Sequence, residues 1–226
     1  MKTETQTNKE SADLTRRSFL RYAGTGMAAV GLITAASCHK DKLVTNTGID
    51  IGSGDIGILN FAYALEQLEA AFYVQVAASP YSGITAYESS RLTDIRDHEV
   101  CHMQFFKAAL GASAIQALTP NFSAINFGSR ASVLAAAQAF EDTGVAAYNG
   151  AGYMIQSATY LGLAGKIVSV EARHAALIGN LITMGNFASS DQVSVTTGLN
   201  LSNTPATVLA AANTYLKTKI SATVLS

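Results

Sequence analysis

Hydrophobic residues recur at helical spacing along four long stretches of the chain, and each stretch ends at polar residues, glycine or proline. The spacing predicts four helices, over residues 55–79, 85–110, 129–157 and 159–185. The segment 111–128 between the second and third helices is long enough to cross the length of a helical bundle. Residues 187–226 are predicted to form a polar loop and a short amphipathic helix that begins at Pro205. No stretch alternates convincingly as a strand does, so the pattern predicts an all-α fold.

Two of the predicted helices place the same polar motif on the face that their hydrophobic residues define as buried. The motif is Glu-x-x-His, at Glu99 and His102 in the second helix and at Glu171 and His174 in the fourth. Side chains three residues apart lie on one face of a helix, so each pair can converge on a single point. Buried carboxylates and imidazoles need a partner or a metal ion. Each motif therefore predicts one half of a metal site.

A glutamate and a tyrosine precede each motif in the same order. Glu66 and Tyr73 precede the first motif, Glu141 and Tyr148 precede the second, and the tyrosine follows its glutamate by seven residues in both cases. The distance from the lone glutamate to the glutamate of the motif is 33 residues in the first case and 30 in the second. This repeat indicates two copies of one helical hairpin. Each tyrosine is either a core aromatic residue or a hydrogen-bond donor to a metal ligand across the bundle.

Glu69 is a second candidate for the position of Glu66, because it lies one helical turn further along the same helix. The repeat favours Glu66, since Glu66 aligns with Glu141 whereas Glu69 aligns with Gly144. We therefore expect Glu69 to lie beside the site and not among its ligands. Cys101 lies between two candidate ligands in sequence but on another face of the helix, and we expect it to be a buried small hydrophobic residue.

The predicted helices together supply four carboxylates and two imidazoles to the centre of one bundle: Glu66, Glu99, His102, Glu141, Glu171 and His174. Four carboxylates neutralise two divalent ions. Oxygen and imidazole ligands without a thiolate suit iron or manganese, with zinc as a competitor. The sequence therefore predicts two metal ions as cofactors.

The same residues, together with Leu-Asn-Phe-Ala at 59–62 and Leu-Glu-Gln-Leu-Glu-Ala-Ala-Phe-Tyr at 65–73, resemble the ferritin-like di-iron carboxylate superfamily. This superfamily includes bacterioferritin and rubrerythrin, and the likeness is closest to its desiccation-related, exported branch. The resemblance covers residues 55–186. It implies a four-helix bundle with one long crossover between the second and third helices, and it implies the six residues named above as metal ligands.

The resemblance also implies an activity. It points to oxidation of bound Fe(II) by oxygen or peroxide, in protection against oxidative stress or desiccation. The partners are then metal ions and oxygen or peroxide, and the superfamily allows a homo-oligomer, although no surface in the sequence identifies one. A likeness of fold fixes a site better than a substrate, so a stress-protection bundle without turnover stays open as an alternative.

A different class of enzyme shares part of the pattern. His98, Glu99 and His102 match His-Glu-x-x-His, in which two histidines bind zinc and the glutamate is the general base of a metalloprotease. In that case His98 would be a zinc ligand; otherwise it is a chance neighbour of the motif. The protease interpretation leaves four of the candidate residues without a role, and the chain offers no convincing strands for a substrate-binding sheet.

The composition of the chain agrees with a helical domain and gives no indication of a nucleic-acid partner. Hydrophobic residues make up 49% of the chain and charged residues 14%, with no Trp and only three Pro, which favours close-packed helices. The formal net charge of −1 gives no indication of nucleic-acid binding. At 226 residues, the chain is long enough for one domain with a sizeable core.

Residues 1–37 are predicted to be an export signal. Arg16 and Arg17 are followed by Phe-Leu and then by an apolar run too short to span a membrane comfortably, which resembles a twin-arginine signal. The next residues, Ala-Ala-Ser-Cys, resemble a relaxed bacterial lipobox that ends at Cys38. Lipidation of Cys38 would anchor a periplasmic protein to a membrane, whereas plain cleavage would release it. We expect lipidation, followed by a flexible tether over 38–54.

Overall fold

The computed structural model describes residues 48–222 and Leu225. The predicted export signal, the lipidation site at Cys38 and most of the predicted tether lie outside these residues. Four long helices dominate the described part of the chain: α1 (Gly54–Ala78), α2 (Ala86–Leu110), α3 (Arg130–Gly152) and α4 (Ala158–Ile182). Helix α1 packs mainly against α2, and α3 packs mainly against α4, so the bundle consists of two hairpins. The predicted all-α four-helix bundle is confirmed.

Side-chain caps set the starts of the later helices. The Thr85 hydroxyl accepts a hydrogen bond from the Glu88 backbone N–H at 3.1 Å, and the Glu88 carboxylate accepts one from the Thr85 N–H at 3.0 Å. This reciprocal capping box satisfies N–H groups that have no partner inside α2. At the starts of α3 and α4, the side chains of Ser129 and Ser157 each accept a hydrogen bond from the backbone N–H three residues later.

Helix α3 ends at Gly152, earlier than the predicted end at residue 157. The backbone N–H groups of Gln156 and Ser157 donate to the Asp55 carboxylate at 2.8 and 2.9 Å, so they are not available for α3. Asp55 lies in the first turn of α1, and its hydrogen bonds therefore join the start of one hairpin to the turn of the other. The predicted end of this helix was wrong because Asp55 and the turn that it holds are far apart in the sequence.

The crossover from α2 to α3 is held by buried amide side chains of α1. It begins with a 3-10 turn over Gly111–Ser113. The Asn60 amide donates to the Ser113 carbonyl at 2.9 Å and accepts from the Ile115 N–H at 2.9 Å, while the Gln67 carbonyl accepts from the Leu118 N–H at 2.8 Å. These bonds satisfy backbone groups of a segment that, beyond its first turn, forms no helix of its own.

The C-terminal segment packs against α1 and α3. Helix α5 (Pro205–Ala212) buries Val208 and Leu209 in the same hydrophobic cluster as residues of α1. Beyond it, β2 (Ile220–Ser221) pairs in parallel with β1 (Ile49–Asp50), with Ile49 opposite Ile220. Residues 49–51 therefore belong to the folded domain, although we assigned them to the tether from the sequence.

Hydrophobic layers surround the middle of the bundle on both sides. One layer contains Tyr63, Phe106 and Leu110, and a second, further along α1, contains Phe72 and other aromatic residues. The polar residues of the two motifs lie between these layers, where Glu99, Glu171 and His174 are buried. Among the helices of residues 48–222, none is long and apolar enough to cross a membrane.

Candidate metal centre

The six predicted ligands lie together in the middle of the bundle. They form two groups in which one ligand atom of each residue lies within 4.8 Å of the others. One group consists of Glu66, Glu99, His102 and Glu171, and the other consists of Glu99, Glu141, Glu171 and His174. All four long helices contribute, and two glutamates belong to both groups. The role of these residues as metal ligands stays a prediction, but their convergence is a property of the fold.

The first group is arranged around one imidazole nitrogen. His102 Nδ1 lies 2.9 Å from Glu171 Oε1, 3.4 Å from Glu66 Oε2 and 3.5 Å from Glu99 Oε2. Glu99 and His102 are three residues apart on α2, so one helical turn presents both to the same point. Glu66 reaches that point from α1 and Glu171 from α4.

The second group repeats this arrangement around the other imidazole. His174 Nδ1 lies 2.8 Å from Glu99 Oε1, 3.3 Å from Glu141 Oε2 and 3.9 Å from Glu171 Oε2. Glu99 and Glu171 thus each turn one oxygen toward His102 and the other toward His174. This is the arrangement that carboxylates need in order to bind two ions at once.

The chemistry of the cluster fits cations. All four glutamates are 0% exposed. Most of the inward-facing carboxylate oxygens and both histidine Nδ1 atoms make no hydrogen bond within the described residues. Burying charged or polar atoms without partners is strongly unfavourable. Two divalent ions would supply the missing partners and balance the four carboxylate charges.

Two tyrosines hold the glutamates that belong to one group only. The Tyr73 hydroxyl on α1 donates to Glu141 Oε1 on α3 at 2.5 Å, and the Tyr148 hydroxyl on α3 donates to Glu66 Oε1 on α1. Each tyrosine thus binds the glutamate of the opposite hairpin, which is one of the two roles that the sequence left open. In each glutamate the oxygen that faces the histidine is left without a hydrogen bond.

The pKa values show how the protein distributes charge when these groups have only one another as partners. Burial raises the pKa of Glu141 to about 8. Burial alone would lower the pKa of His174, but the carboxylates of Glu141 and Glu99 beside it raise the value to about 10. Burial opposes ionisation of Glu99 as well, yet the neighbouring imidazoles of His102 and His174 lower its pKa to about 2. Without cations, the cluster therefore holds protons that bound metal ions would displace.

Glu69 lies beside the cluster and outside both groups. It is 4% exposed, and burial together with the charges of neighbouring carboxylates raises its pKa well above the usual range. A Cβ atom at Gly144 would lie 3.0 Å from Glu69 Oε1 and 3.7 Å from Glu171 Oε2, so a glycine at this position leaves room for the Glu69 carboxylate. The two residues that the repeat aligns, Glu69 and Gly144, therefore face each other. Both line a cavity of about 290 Å³ between α1, α3 and the C-terminal segment.

Two neighbours of the ligands differ from expectation. Cys101 is exposed, so our prediction of a buried thiol was wrong. It lies two residues from Glu99, and this spacing turns its side chain away from the face of α2 that carries the buried Glu99. His98 was interpreted as a zinc ligand or a chance neighbour, but its Nδ1 lies 2.9 Å from His174 Nε2. The spacing of four residues between His98 and His102 indicated that both lie on the same side of α2. It did not indicate that His98 contacts His174 of α4.

The arrangement does not match the zinc metalloprotease pattern. That pattern requires the two histidines of His-Glu-x-x-His to bind the same ion, with the glutamate beside it as a base. Here Glu99 belongs to both groups, His102 belongs to one, and His98 belongs to neither of the groups found within the described residues.

Comparison with known proteins agrees with this geometry. The family described as the ferritin-like domain matches residues 54–184. The matched span contains the four long helices and all six residues of the two groups. A comparison with curated proteins finds no match.

Proposed function

Because the chain belongs to the family of ferritin-like domains, we propose that the six convergent residues bind two iron or manganese ions and that the protein oxidises Fe(II) with oxygen or peroxide. The observation that carries this proposal is the set of buried carboxylate oxygens and imidazole nitrogens that converge on two points and face only one another, without hydrogen-bond geometry. Such a set is unfavourable unless protons or cations neutralise its carboxylates. Its ligand types favour iron or manganese over metals that prefer thiolates.

The proposed reaction is balanced by two ions and one oxidant. Two Fe(II) ions each lose one electron, and these electrons, with two protons from solution, convert O₂ to H₂O₂ or H₂O₂ to two water molecules. Glu99 and Glu171 are placed to bind both ions, since each faces both imidazoles. Tyr73 and Tyr148 hold the remaining glutamates in position. Hydrophobic layers flank the centre on either side along the bundle.

Anaerobic loading of the purified protein with Fe(II), followed by exposure to oxygen or peroxide, tests this proposal. We expect two Fe(II) ions per chain to be bound and then oxidised, as seen in the ferric absorbance. The double variant Glu99→Gln, Glu171→Gln should lose both the bound iron and the oxidation above the buffer rate. Asp97→Asn is the matched control, because the Asp97 side chain is 62% exposed and lies outside the cluster. Bound Fe(II) that no oxidant converts would instead support a stress-protection bundle without turnover.

We also propose that the protein works outside the cytoplasm as a membrane-anchored lipoprotein. The support is the sequence of the first 38 residues, with its paired arginines, its short apolar run and Cys38. Labelling of growing bacterial cells with a fatty acid should mark the protein but not the variant Cys38→Ser. Replacing both Arg16 and Arg17 with Lys should leave the precursor in the cytoplasm. Export without label would mean cleavage and release.

Protection against oxidative stress or desiccation is the biological role that we propose for this chemistry. The support is the resemblance of residues 59–73 to the desiccation-related branch of the superfamily, together with the consumption of oxidant in the proposed reaction. Survival of cells after drying or peroxide treatment should fall on deletion and recover with the natural protein. Recovery with the double glutamine variant would show that protection does not depend on the metal centre.

A further inference from the structure

The contact between His98 and His174 lies at the edge of the cluster, between α2 and α4. The two rings are nearly parallel, with an interplanar angle of 8° and centroids 5.1 Å apart. The Nδ1 atom of His98 lies 2.9 Å from Nε2 of His174. His98 is exposed, whereas His174 is only 4% exposed. The contact therefore joins a buried residue of the centre to a residue at the surface.

The orientation of His174 determines which nitrogen carries its proton. Its Nδ1 atom faces the carboxylates of Glu99 and Glu141. A neutral imidazole that binds a cation through Nδ1 carries its proton on Nε2. That N–H then donates to Nδ1 of His98, and the hydrogen bond fixes both the tautomer and the ring orientation of His174.

The second imidazole of the centre has no such support. Its outer nitrogen, Nε2 of His102, makes no hydrogen bond to any residue in the described part of the chain. The repeat explains the difference: because Glu99 aligns with Glu171, His98 aligns with Val170, which offers no acceptor. His102 is also less enclosed, with 13% of its side chain exposed against 5% for His174. The two ligand groups are otherwise alike, but within the described residues only His174 has its ring orientation fixed by a hydrogen bond.

We propose that His98 is a positioning residue that orients His174, so that the ion position beside Glu141 and His174 fills first and holds its ion more tightly than the position beside Glu66 and His102. This inference rests on the proposed metal site. It adds an order of filling and a residue that sets this order. The two positions share Glu99 and Glu171, so the difference between them comes from the groups they do not share.

Titration of the purified, metal-free protein with Co(II) tests the proposal. Co(II) is a suitable probe because its visible absorbance reports the coordination of each ion without Fe(II) oxidation. We expect two binding steps of unequal affinity. His98→Phe keeps a ring at the same place but removes the acceptor, and it should weaken the first step by about 10- to 100-fold, the usual effect of losing such a partner. The second step should not change.

Two further variants separate positioning from a general structural effect. His98→Asn places an amide oxygen where the Nδ1 acceptor lies, and it should restore most of the affinity of the first step. Val170→Ala alters the aligned position in the other hairpin and should change neither step. Because His98 is exposed and Val170 is only partly buried, all three variants should give the helical circular dichroism of the unchanged protein.

The outcomes that overturn the proposal are distinct. Two steps that His98→Phe leaves unchanged, or weakens to the same extent, would remove the positioning role of His98 and leave the metal site intact. The role also fails if His98→Asn behaves like His98→Phe. If the unchanged protein binds no Co(II), the metal site itself is refuted, and the proposed function fails with it.

Discussion

Glu99 and Glu171 differ from the other two glutamates of the centre in one respect. Each faces both imidazoles, whereas Glu66 faces only His102 and Glu141 faces only His174 among the two histidines. A residue that belongs to both groups should contribute to both ions. The positions of single oxygens thus distinguish residues that the sequence motif treats alike.

Single glutamine substitutions should reveal this difference. Glu99→Gln removes a charge that both ion positions share, and it should reduce the metal content from two ions per chain to fewer than one. Glu66→Gln alters one position only and should leave one ion bound. Metal analysis of protein loaded with Mn(II) and then desalted measures both results. Equal losses in the two variants would contradict the assignment of Glu99 to both groups.

The tyrosines permit a matched pair of variants. Tyr73→Phe removes the hydrogen bond to Glu141, and Tyr148→Phe removes the one to Glu66. The loss of such a partner typically lowers metal affinity by about 10- to 100-fold. We expect each variant to weaken a different binding step, which competition with a chelator measures. If both variants weaken the same step, or if neither variant weakens a step, the hydrogen bonds from the tyrosines to the glutamates of the opposite hairpin do not stabilise metal binding.

At the level of elements, contacts between residues far apart in the sequence hold the two hairpins together. Asp55 at the start of α1 holds the turn before α4. The loop before α5 lies directly on α3, where a Cβ atom at Gly150 would lie 1.8 Å from the Asn203 carbonyl oxygen. The Asn203 N–H also donates to the Ala146 carbonyl at 2.9 Å. Gly144 and Gly150 in α3 thus permit close contacts, whereas a Cβ atom at Gly152, the last residue of the helix, would meet nothing within 4 Å.

Replacing a glycine with alanine should therefore lower the stability of the fold in α3 and raise it in α4. Gly150→Ala forces the 201–204 loop away from α3 and should lower the melting temperature by several degrees, since about 1 kcal/mol corresponds to roughly 2–4 °C in a domain of this size. Gly165→Ala is the control in α4, because its Cβ atom meets nothing within 4 Å. That change should stabilise the helix by about 0.5–1 kcal/mol. Thermal unfolding measures both, and a stabilising Gly150→Ala would contradict the close contact.

The sequence allowed more of the centre to be predicted than of its surroundings. Helical spacing and the repeated Glu, Tyr and Glu-x-x-His order depend on residues close in sequence, and they predicted the bundle and the six residues that converge. The contact of His98 with His174 depends on how α2 meets α4, which no local pattern specifies. The same holds for the Asp55 hydrogen bonds that end α3 and for the pairing of residues 49–50 with the C-terminal strand. Exposure of Cys101 follows from a bundle too small to enclose more than one face of α2.

At the level of the whole molecule, the centre couples stability to pH. The folded protein without metal holds a proton on Glu141 up to about pH 8, whereas the unfolded chain releases it near the ordinary value of 4.5. His174 likewise keeps its proton to about pH 10, against an ordinary value of 6.5. The folded state binds more protons in both cases, so its stability falls as the pH rises through these ranges. Glu99, with a pKa of about 2, acts in the opposite sense and loses its stabilising effect only as the pH falls below 4.5.

The metal-free protein should therefore be most stable near pH 4.5, because the contribution of Glu99 is lost below this pH and that of Glu141 is lost above it, followed by that of His174 above pH 6.5. Metal ions compete with protons for the same atoms, so the stabilisation they give should increase with pH. We expect the melting temperatures of the metal-free and Mn(II)-loaded proteins to diverge between pH 5 and pH 8. Thermal unfolding with chelator or with Mn(II) measures this, and curves that stay parallel would show that the cluster does not exchange protons for metal.

Counting the ions that one chain binds tests the central claim most directly. The purified protein is equilibrated anaerobically with Fe(II) by dialysis, and bound iron per chain is measured beside the double variant Glu99→Gln, Glu171→Gln. Two ions per chain, lost in the double variant, is the result we predict. One ion or none in the unchanged protein, or the same iron content in both proteins, would contradict a two-metal centre.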